Sequence, residues 1–93
     1  MSKAPLFIGL AGFGTVGSGL AEVLHTNKAS LMRRLGREIK IISVLERDTA
    51  KVTASPFLDK SVKISTDIQA FCSDPDIQLV VELMGGIETP AKL

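Results

Sequence analysis

The chain has 93 residues, of which 45% are hydrophobic and 23% are charged. This composition is typical of one small folded domain, which we place over residues 1–93, and it argues against a disordered or disulfide-stapled chain. The net charge of +1 argues against a nucleic-acid surface, and no apolar stretch approaches the ~20 residues of a membrane span. With a single cysteine and no leader ahead of the first strand, we expect a cytoplasmic protein.

A continuous apolar run over residues 6–11 predicts a central parallel strand, and it breaks into G-F-G-T-V-G over residues 12–17 before a helical pattern. Gly12 permits the tight turn off the strand, Gly14 lets backbone approach a pyrophosphate, and Gly17 lets the helix pack closely on the strand. The helix also directs its free N–H groups and the positive end of its dipole to the same place. The motif therefore predicts a bound dinucleotide. The alternative is that the glycines only form a tight corner.

The helical spacing of apolar residues continues to Leu35, where Gly36 supplies a stop, and polar residues near 26–30 predict a bend or break. The lone histidine, His25, is expected on the solvent-facing side of this helix. The β-branched run over residues 39–45 then completes a β-α-β unit.

The second half of the chain predicts shorter elements. We expect a loop with one turn of helix, a short strand, a short helix capped by Thr66 or Asp67, and a buried strand, over residues 49–60, 62–64, 66–72 and 77–84 respectively. Cys72, beside Phe71 and Ser73, is interpreted as a buried structural thiol.

The last predicted strand ends in a glycine pair, Gly85-Gly86, and Pro90 suits the first turn of a further helix. The pattern as a whole predicts an α/β fold of Rossmann type. We expect a doubly wound, mainly parallel sheet that is truncated after its third or fourth strand.

In such a sheet, ligands bind outside the carboxyl ends of the strands, and Glu46 and Arg47 follow the second strand. A carboxylate there accepts a hydrogen bond from the ribose 2′-hydroxyl of NAD, whereas an arginine pairs with the 2′-phosphate of NADP. Alternation along the strand predicts that only one of the two side chains faces the ribose. The other would then belong to an exposed ion pair.

The third strand end, with Glu82, Gly85 and Gly86, would lie toward the nicotinamide half of the dinucleotide. For Glu82, hydrogen bonding to backbone N–H groups is an alternative to catalysis. The sequence contains no recognisable hydride-transfer apparatus and no metal-ligand pattern. We therefore expect no catalytic residue, and no turnover, from this chain alone.

Taken together, these residues resemble the N-terminal end of homoserine dehydrogenase. The similarity lies in I-G-L-A-G-F-G-T-V-G-S-G-L over residues 8–20, R-E-I-K-I over 37–41, R-D-T-A-K over 47–51 and V-V-E-L-M-G-G over 80–86. It implies an NAD(P)-dependent interconversion of L-aspartate 4-semialdehyde and L-homoserine, on the route to threonine, methionine and isoleucine. It also implies a homodimer whose catalytic residues lie beyond these 93 residues.

The resemblance further implies the cofactor contacts. These are the glycine turn and the later strand ends: Gly12, Gly14, Thr15, Val16, Gly17, Arg47, Gly85 and Gly86. Arg47 as the 2′-phosphate contact favours NADP, and the adjacent Glu46 leaves NAD open. Two other functions remain as alternatives: another Rossmann oxidoreductase, such as an aldehyde or dihydrodipicolinate-type reductase, and a non-catalytic module that senses NAD(H).

Overall fold

The computed structural model describes residues 4–83. Within this part of the chain, strands and helices alternate along the sequence. The elements are β1 (Leu6–Ala11), α1 (Thr15–Thr26), α2 (Lys28–Leu35), β2 (Ile39–Leu45), α3 (Thr49–Thr53), β3 (Lys63–Ser65), α4 (Ile68–Cys72) and β4 (Leu79–Glu82). The predicted bounds of β1 and β2 are confirmed, and the predicted short strand is β3, displaced by one residue.

The strands pair in parallel, in the spatial order β3-β2-β1-β4. The chain lays down β1, β2 and β3 in one direction and then returns to place β4 on the free side of β1. The strand order therefore reverses beside β1, which is the feature that creates a ligand crevice in open α/β sheets. The predicted doubly wound parallel sheet is confirmed.

The long helical stretch breaks where polar residues predicted a break. The backbone N–H and the Nδ2 of Asn27 both donate to the carbonyl oxygen of Val23, at 2.9 and 3.0 Å, which ends α1. Gly36 ends α2 with φ +75°, a conformation that favours glycine. At the start of α4, the carboxylate of Asp67 accepts a hydrogen bond from Gln69 N at 3.1 Å, so the predicted cap is confirmed.

Both faces of the sheet are covered. On one face, residues from β1, β2, α1, α3 and the turn after β1 form the larger core cluster: Ile8, Leu10, Phe13, Ala21, Val44 and Val52. On the other face, Phe71 of α4 packs with Ala11 and Leu45. Pairing shifts by one residue in the middle of the sheet, since Ile8 pairs with Ile41 but Gly9 pairs with Ser43. This bulge lets Ile41 and Val44 contact the same core despite their odd spacing.

Two predictions of burial are wrong. Leu79 and Val80 are 51% and 43% exposed, because β4 is an edge strand of the described sheet and pairs with β1 alone. Cys72 is exposed at the last position of α4, where its neighbour Phe71 takes the buried position instead. His25 is exposed as predicted, and its ring lies 5.7 Å from that of Phe57.

The glycine pair and the helix predicted from Pro90 lie outside the described residues. Across residues 4–83, no helix combines the length and the apolar character needed to cross a membrane.

Candidate functional site

The turn after β1 has the conformation that its glycines predict. Gly12 adopts φ +112°, which L side chains rarely adopt, and its N–H donates to Leu45 O at 2.9 Å. A Cβ on Gly17 would lie only 2.6 Å from the carbonyl oxygen of Gly12. These two positions therefore require glycine for the fold itself.

Gly14 differs, because none of the residues 4–83 limits its size. A Cβ on Gly14 would meet no heavy atom of the described residues within 4 Å, so the space above it is open in this part of the chain. Gly14 is also the N-cap of α1, and its carbonyl accepts the first helical bond, from Ser18 N at 2.9 Å. The N–H groups of the first turn, before Ser18, are directed out of the helix N-terminus. This open cradle fits a phosphate group at the positive end of the helix dipole.

A cavity of about 690 Å³ lies where the carboxyl ends of the four strands meet. Residues that follow β1, β2, β3 and β4 line it together: Gly12, Phe13, Gly14, Leu45, Glu46, Arg47, Thr66, Asp67, Ile68 and Leu83. The cavity lies beside β1, at the place where the strand order reverses. Its position is the one that the fold class predicts for a ligand crevice.

Glu46 and Arg47 both border this cavity, and that only one of the two side chains faces the ribose stays a prediction. The strand ends at Leu45, and the chain turns after it rather than continuing to alternate. Phe13 N donates to Oε1 of Glu46 at 2.9 Å, and Asp48 N donates to Oε2 at 3.0 Å. The bond from Asp48 N is the main cause that lowers the pKa of Glu46; burial opposes it, and the bond from Phe13 N adds to it.

A second cavity, of about 600 Å³, also borders the glycine turn. Residues of the turn, of α1 and of α3 border it: Phe13, Gly14, Thr15, Ser18, Gly19, Glu22 and Lys51. Lys51 and, more weakly, Arg47 also lower the pKa of Glu46 through their positive charges. Each cavity at Gly14 thus has one cationic residue in its lining, Arg47 in the first and Lys51 in the second, together with acidic residues.

The structure thus brings together most of the predicted site residues. Gly12, Gly14, Glu46 and Arg47 share the first cavity, and Thr15 joins Gly14 at the second. Val16 lies in the same turn with its side chain 64% exposed, and Gly17 is buried beneath it. Gly85 and Gly86 lie outside the described residues.

Sequence reasoning missed other residues of the site. Phe13 contributes in two ways: its ring is buried in the core, and its backbone N–H donates to Glu46. Thr66 and Asp67 line the first cavity because they follow β3. The signal for them was available, since the short strand was predicted and its carboxyl end belongs to the same edge of the sheet. Lys51 could have been noticed four residues after Arg47, in the helical turn predicted there.

The fold and this site define a dinucleotide-binding domain of the doubly wound α/β class. The sequence model of the family described as "Homoserine dehydrogenase, NAD binding domain" matches residues 12–93. The chain belongs to the homoserine dehydrogenase family and represents its NAD-binding domain, so the predicted resemblance is confirmed. A nicotinamide dinucleotide is accordingly the cofactor class of this domain.

Individual curated relatives belong to the same family. The homoserine dehydrogenase of Helicobacter pylori is 41% identical over 88 residues, which are 95% of this chain and 20% of the relative. That of Methylobacillus glycogenes is 38% identical over 89 residues, which are 96% of this chain and 21% of the relative. The chain therefore spans about a fifth of the curated relatives it matches.

Solved structures show the same coverage. A homoserine dehydrogenase from Thiobacillus denitrificans superposes with a TM-score of 0.78 and 35% identity, covering 99% of this chain and 21% of that one. The Staphylococcus aureus enzyme at pH 8.5 superposes with a TM-score of 0.73 and 28% identity, covering 96% of this chain and 22% of that one.

Proposed function

We propose that this chain binds NADP or NAD, with NADP favoured, as the nucleotide-binding part of an enzyme that interconverts L-aspartate 4-semialdehyde and L-homoserine. The observation that supports it best is the shared cavity of Gly12, Gly14, Glu46 and Arg47 beside the N-terminus of α1. Family membership supports the reaction.

The residues of the cavity divide into three roles. The open space at Gly14 and the first-turn N–H groups of α1, which include those of Thr15 and Val16, receive the pyrophosphate. Arg47, exposed at the rim, pairs with a 2′-phosphate, and this assignment favours NADP. Gly85 and Gly86 are proposed to lie beside the nicotinamide ribose, on the basis of the resemblance alone.

When bound, the nicotinamide supplies or accepts the hydride of the reaction. Within residues 4–83, the side chains at the cavity bind and orient the cofactor. The groups that hold the amino-acid substrate would belong to the part of the enzyme that this chain does not cover. By the same family resemblance we propose a homodimer in the cytoplasm, on the route to threonine, methionine and isoleucine.

The test is an amide-resolved NMR titration of this chain with NADPH and with NADH. We expect shifts at residues 12–17 and at Arg47, with NADPH the tighter ligand, and no oxidation of homoserine by the chain alone. The Gly14→Val chain should keep a dispersed spectrum and lose these shifts, because the added side chain fills the open space. A dispersed wild-type spectrum that does not change on addition of either nucleotide would contradict the proposal.

A further inference from the structure

The carboxylate of Glu46 joins two segments that are far apart in sequence. Phe13 N, in the glycine turn, donates to one oxygen, and Asp48 N, in the turn after β2, donates to the other. A carboxylate accepts strongly at both oxygens while it is ionised, since protonation converts one oxygen into a donor and weakens it as an acceptor. The charged form of Glu46 is thus the form that links the turns.

The glycine turn is held at three points near this link. The ring of Phe13 is 2% exposed and packs with Ile8, Leu10 and Val44 in the core. The N–H of Gly12 donates to Leu45 O. The bond from Phe13 N to Glu46 adds a third attachment on the side that faces the cavity. Gly14 follows Phe13 directly, so these three contacts also fix the position of its backbone.

The second hydrogen bond of Glu46 holds the turn that contains Arg47. Its bond from Asp48 N fixes the backbone that immediately follows Arg47. Because both oxygens already receive main-chain donors, the carboxylate is placed by the protein before a ligand arrives. The two bonds use one lone pair on each oxygen, so the main chain, rather than a ribose hydroxyl, sets the orientation of the carboxylate.

We infer that Glu46 is a positioning residue, whose carboxylate sets the glycine turn and the Arg47 turn in register, and that it does not select between NAD and NADP. This inference rests on the proposed dinucleotide binding. It assigns the choice between the two cofactors to Arg47, and it gives Glu46 an equal effect on both.

Glu46→Gln is the informative variant, because it keeps the shape and one acceptor oxygen but replaces the other acceptor with an NH₂ donor. We expect the affinities for NADPH and NADH to fall by the same factor, about fivefold to thirtyfold, as measured by titration of this chain. Glu46→Ala, which removes both acceptors, should weaken both further. Glu38→Gln removes the same charge at the opposite end of β2, where Glu38 pairs with Lys28 at 3.1 Å, and should leave both affinities unchanged.

A second measurement needs no variant and no ligand. In the free wild-type chain, the amide resonances of Phe13 and Asp48 should titrate together as the pH is lowered, with one midpoint that is absent in Glu46→Gln. This readout remains informative if Glu46→Ala fails to fold.

The outcomes separate the inference from the proposed function. If Glu46→Gln lowers the affinity for NADH alone, or raises the affinity for NADPH, the carboxylate contacts the 2′-hydroxyl and the inference is overturned. Unchanged affinities in both Glu46 variants overturn it too. If the wild-type chain binds neither nucleotide, the proposed function fails. The amide titration then decides the inference, which is overturned if Phe13 and Asp48 do not respond together.

Discussion

Gly17 of α1 lies directly against the carbonyl oxygen of Gly12, so that a Cβ on Gly17 would stand 2.6 Å from that oxygen. The oxygen belongs to backbone and cannot rotate away as a flexible side chain could. This approach holds the first turn of the helix on the end of β1. Gly12 and Gly17 are therefore needed for close packing, whereas Gly14 faces space that the described residues leave open.

Gly17→Ala should therefore act mainly on stability, and Gly14→Ala mainly on dinucleotide binding. For Gly17→Ala we expect the free energy of unfolding to fall by about 2 kcal/mol or more, because the helix must move off the strand. Gly14→Ala should change it by no more than about 1 kcal/mol, the usual effect at an N-cap, yet it should weaken dinucleotide binding. Urea denaturation and nucleotide titration of both chains check this. Equal stability loss in the two variants would contradict it.

Arg47→Gln should weaken NADPH by about 1–3 kcal/mol, the value of a charge-assisted pair, and leave NADH nearly unchanged. The control is Arg34→Gln, which removes the same charge from an exposed position in the last turn of α2. Calorimetric titration with both nucleotides measures the ratio. If NADPH and NADH weaken alike, Arg47 does not contact the 2′-phosphate.

Lys51→Gln should weaken the binding of NADPH and NADH by the same factor, because both nucleotides place a pyrophosphate near Gly14. Lys51 borders the cavity that contains Gly14, Thr15 and Ser18. We expect about 1 kcal/mol, or roughly fivefold, with a smaller effect at high salt because the side chain is exposed. Lys60→Gln, also exposed, serves as the charge control. A selective loss of NADPH would instead place Lys51 at the 2′-phosphate.

The low pKa of Glu46 predicts a pH dependence of stability. Hydrogen bonds from Asp48 N and Phe13 N lower the pKa, as do the charges of Lys51 and Arg47, while burial opposes them. A carboxyl group with a lowered pKa in the folded state stabilises the fold above its unfolded pKa of about 4.3 and loses that effect as the pH falls through the folded value.

The stability difference between wild type and Glu46→Gln should consequently be largest above about pH 5 and shrink on acidification; solvent screening of this partly exposed group keeps it at or below about 1 kcal/mol. Comparing the two chains removes the contributions of Asp59 and Asp74, whose pKa values are lowered by bonds from Ser61 and Lys63 respectively. Asp67 borders the same cavity and remains in both chains. A difference that is constant between pH 3 and 7, within about 0.3 kcal/mol, would contradict the prediction.

Gly9→Ala tests the packing on the second face of the sheet. A Cβ there would lie 2.9 Å from both Phe71 Cζ and Ile77 Cδ1, and the ring of Phe71 is 2% exposed. We expect a loss of about 1–3 kcal/mol from overpacking. Gly19→Ala is the matched control, since a Cβ on Gly19 meets no heavy atom of residues 4–83 within 4 Å and alanine favours the helix by about 0.5–1 kcal/mol. Thermal denaturation of the two chains should shift in opposite directions.

Much of the fold followed from local patterns. The β-branched run predicted β2, the polar residues near Asn27 predicted the break between α1 and α2, and Asp67 predicted the cap of α4. Each of these signals acts through residues that are close in sequence. Burial did not follow in the same way, because Cys72 and Val80 have apolar patterns around them but lie on exposed positions.

The sequence by itself determined the glycine turn, the α/β class and the family, since steric demands at Gly12 and Gly17 and a run of apolar strands leave few other solutions. Only the tertiary structure decided the role of Glu46. Its bond partner Phe13 lies 33 residues away, and the turn after Leu45 ends the alternation that would have separated Glu46 from Arg47. A carboxylate's environment depends on which backbone donors the fold brings to it, and no local pattern carries that information.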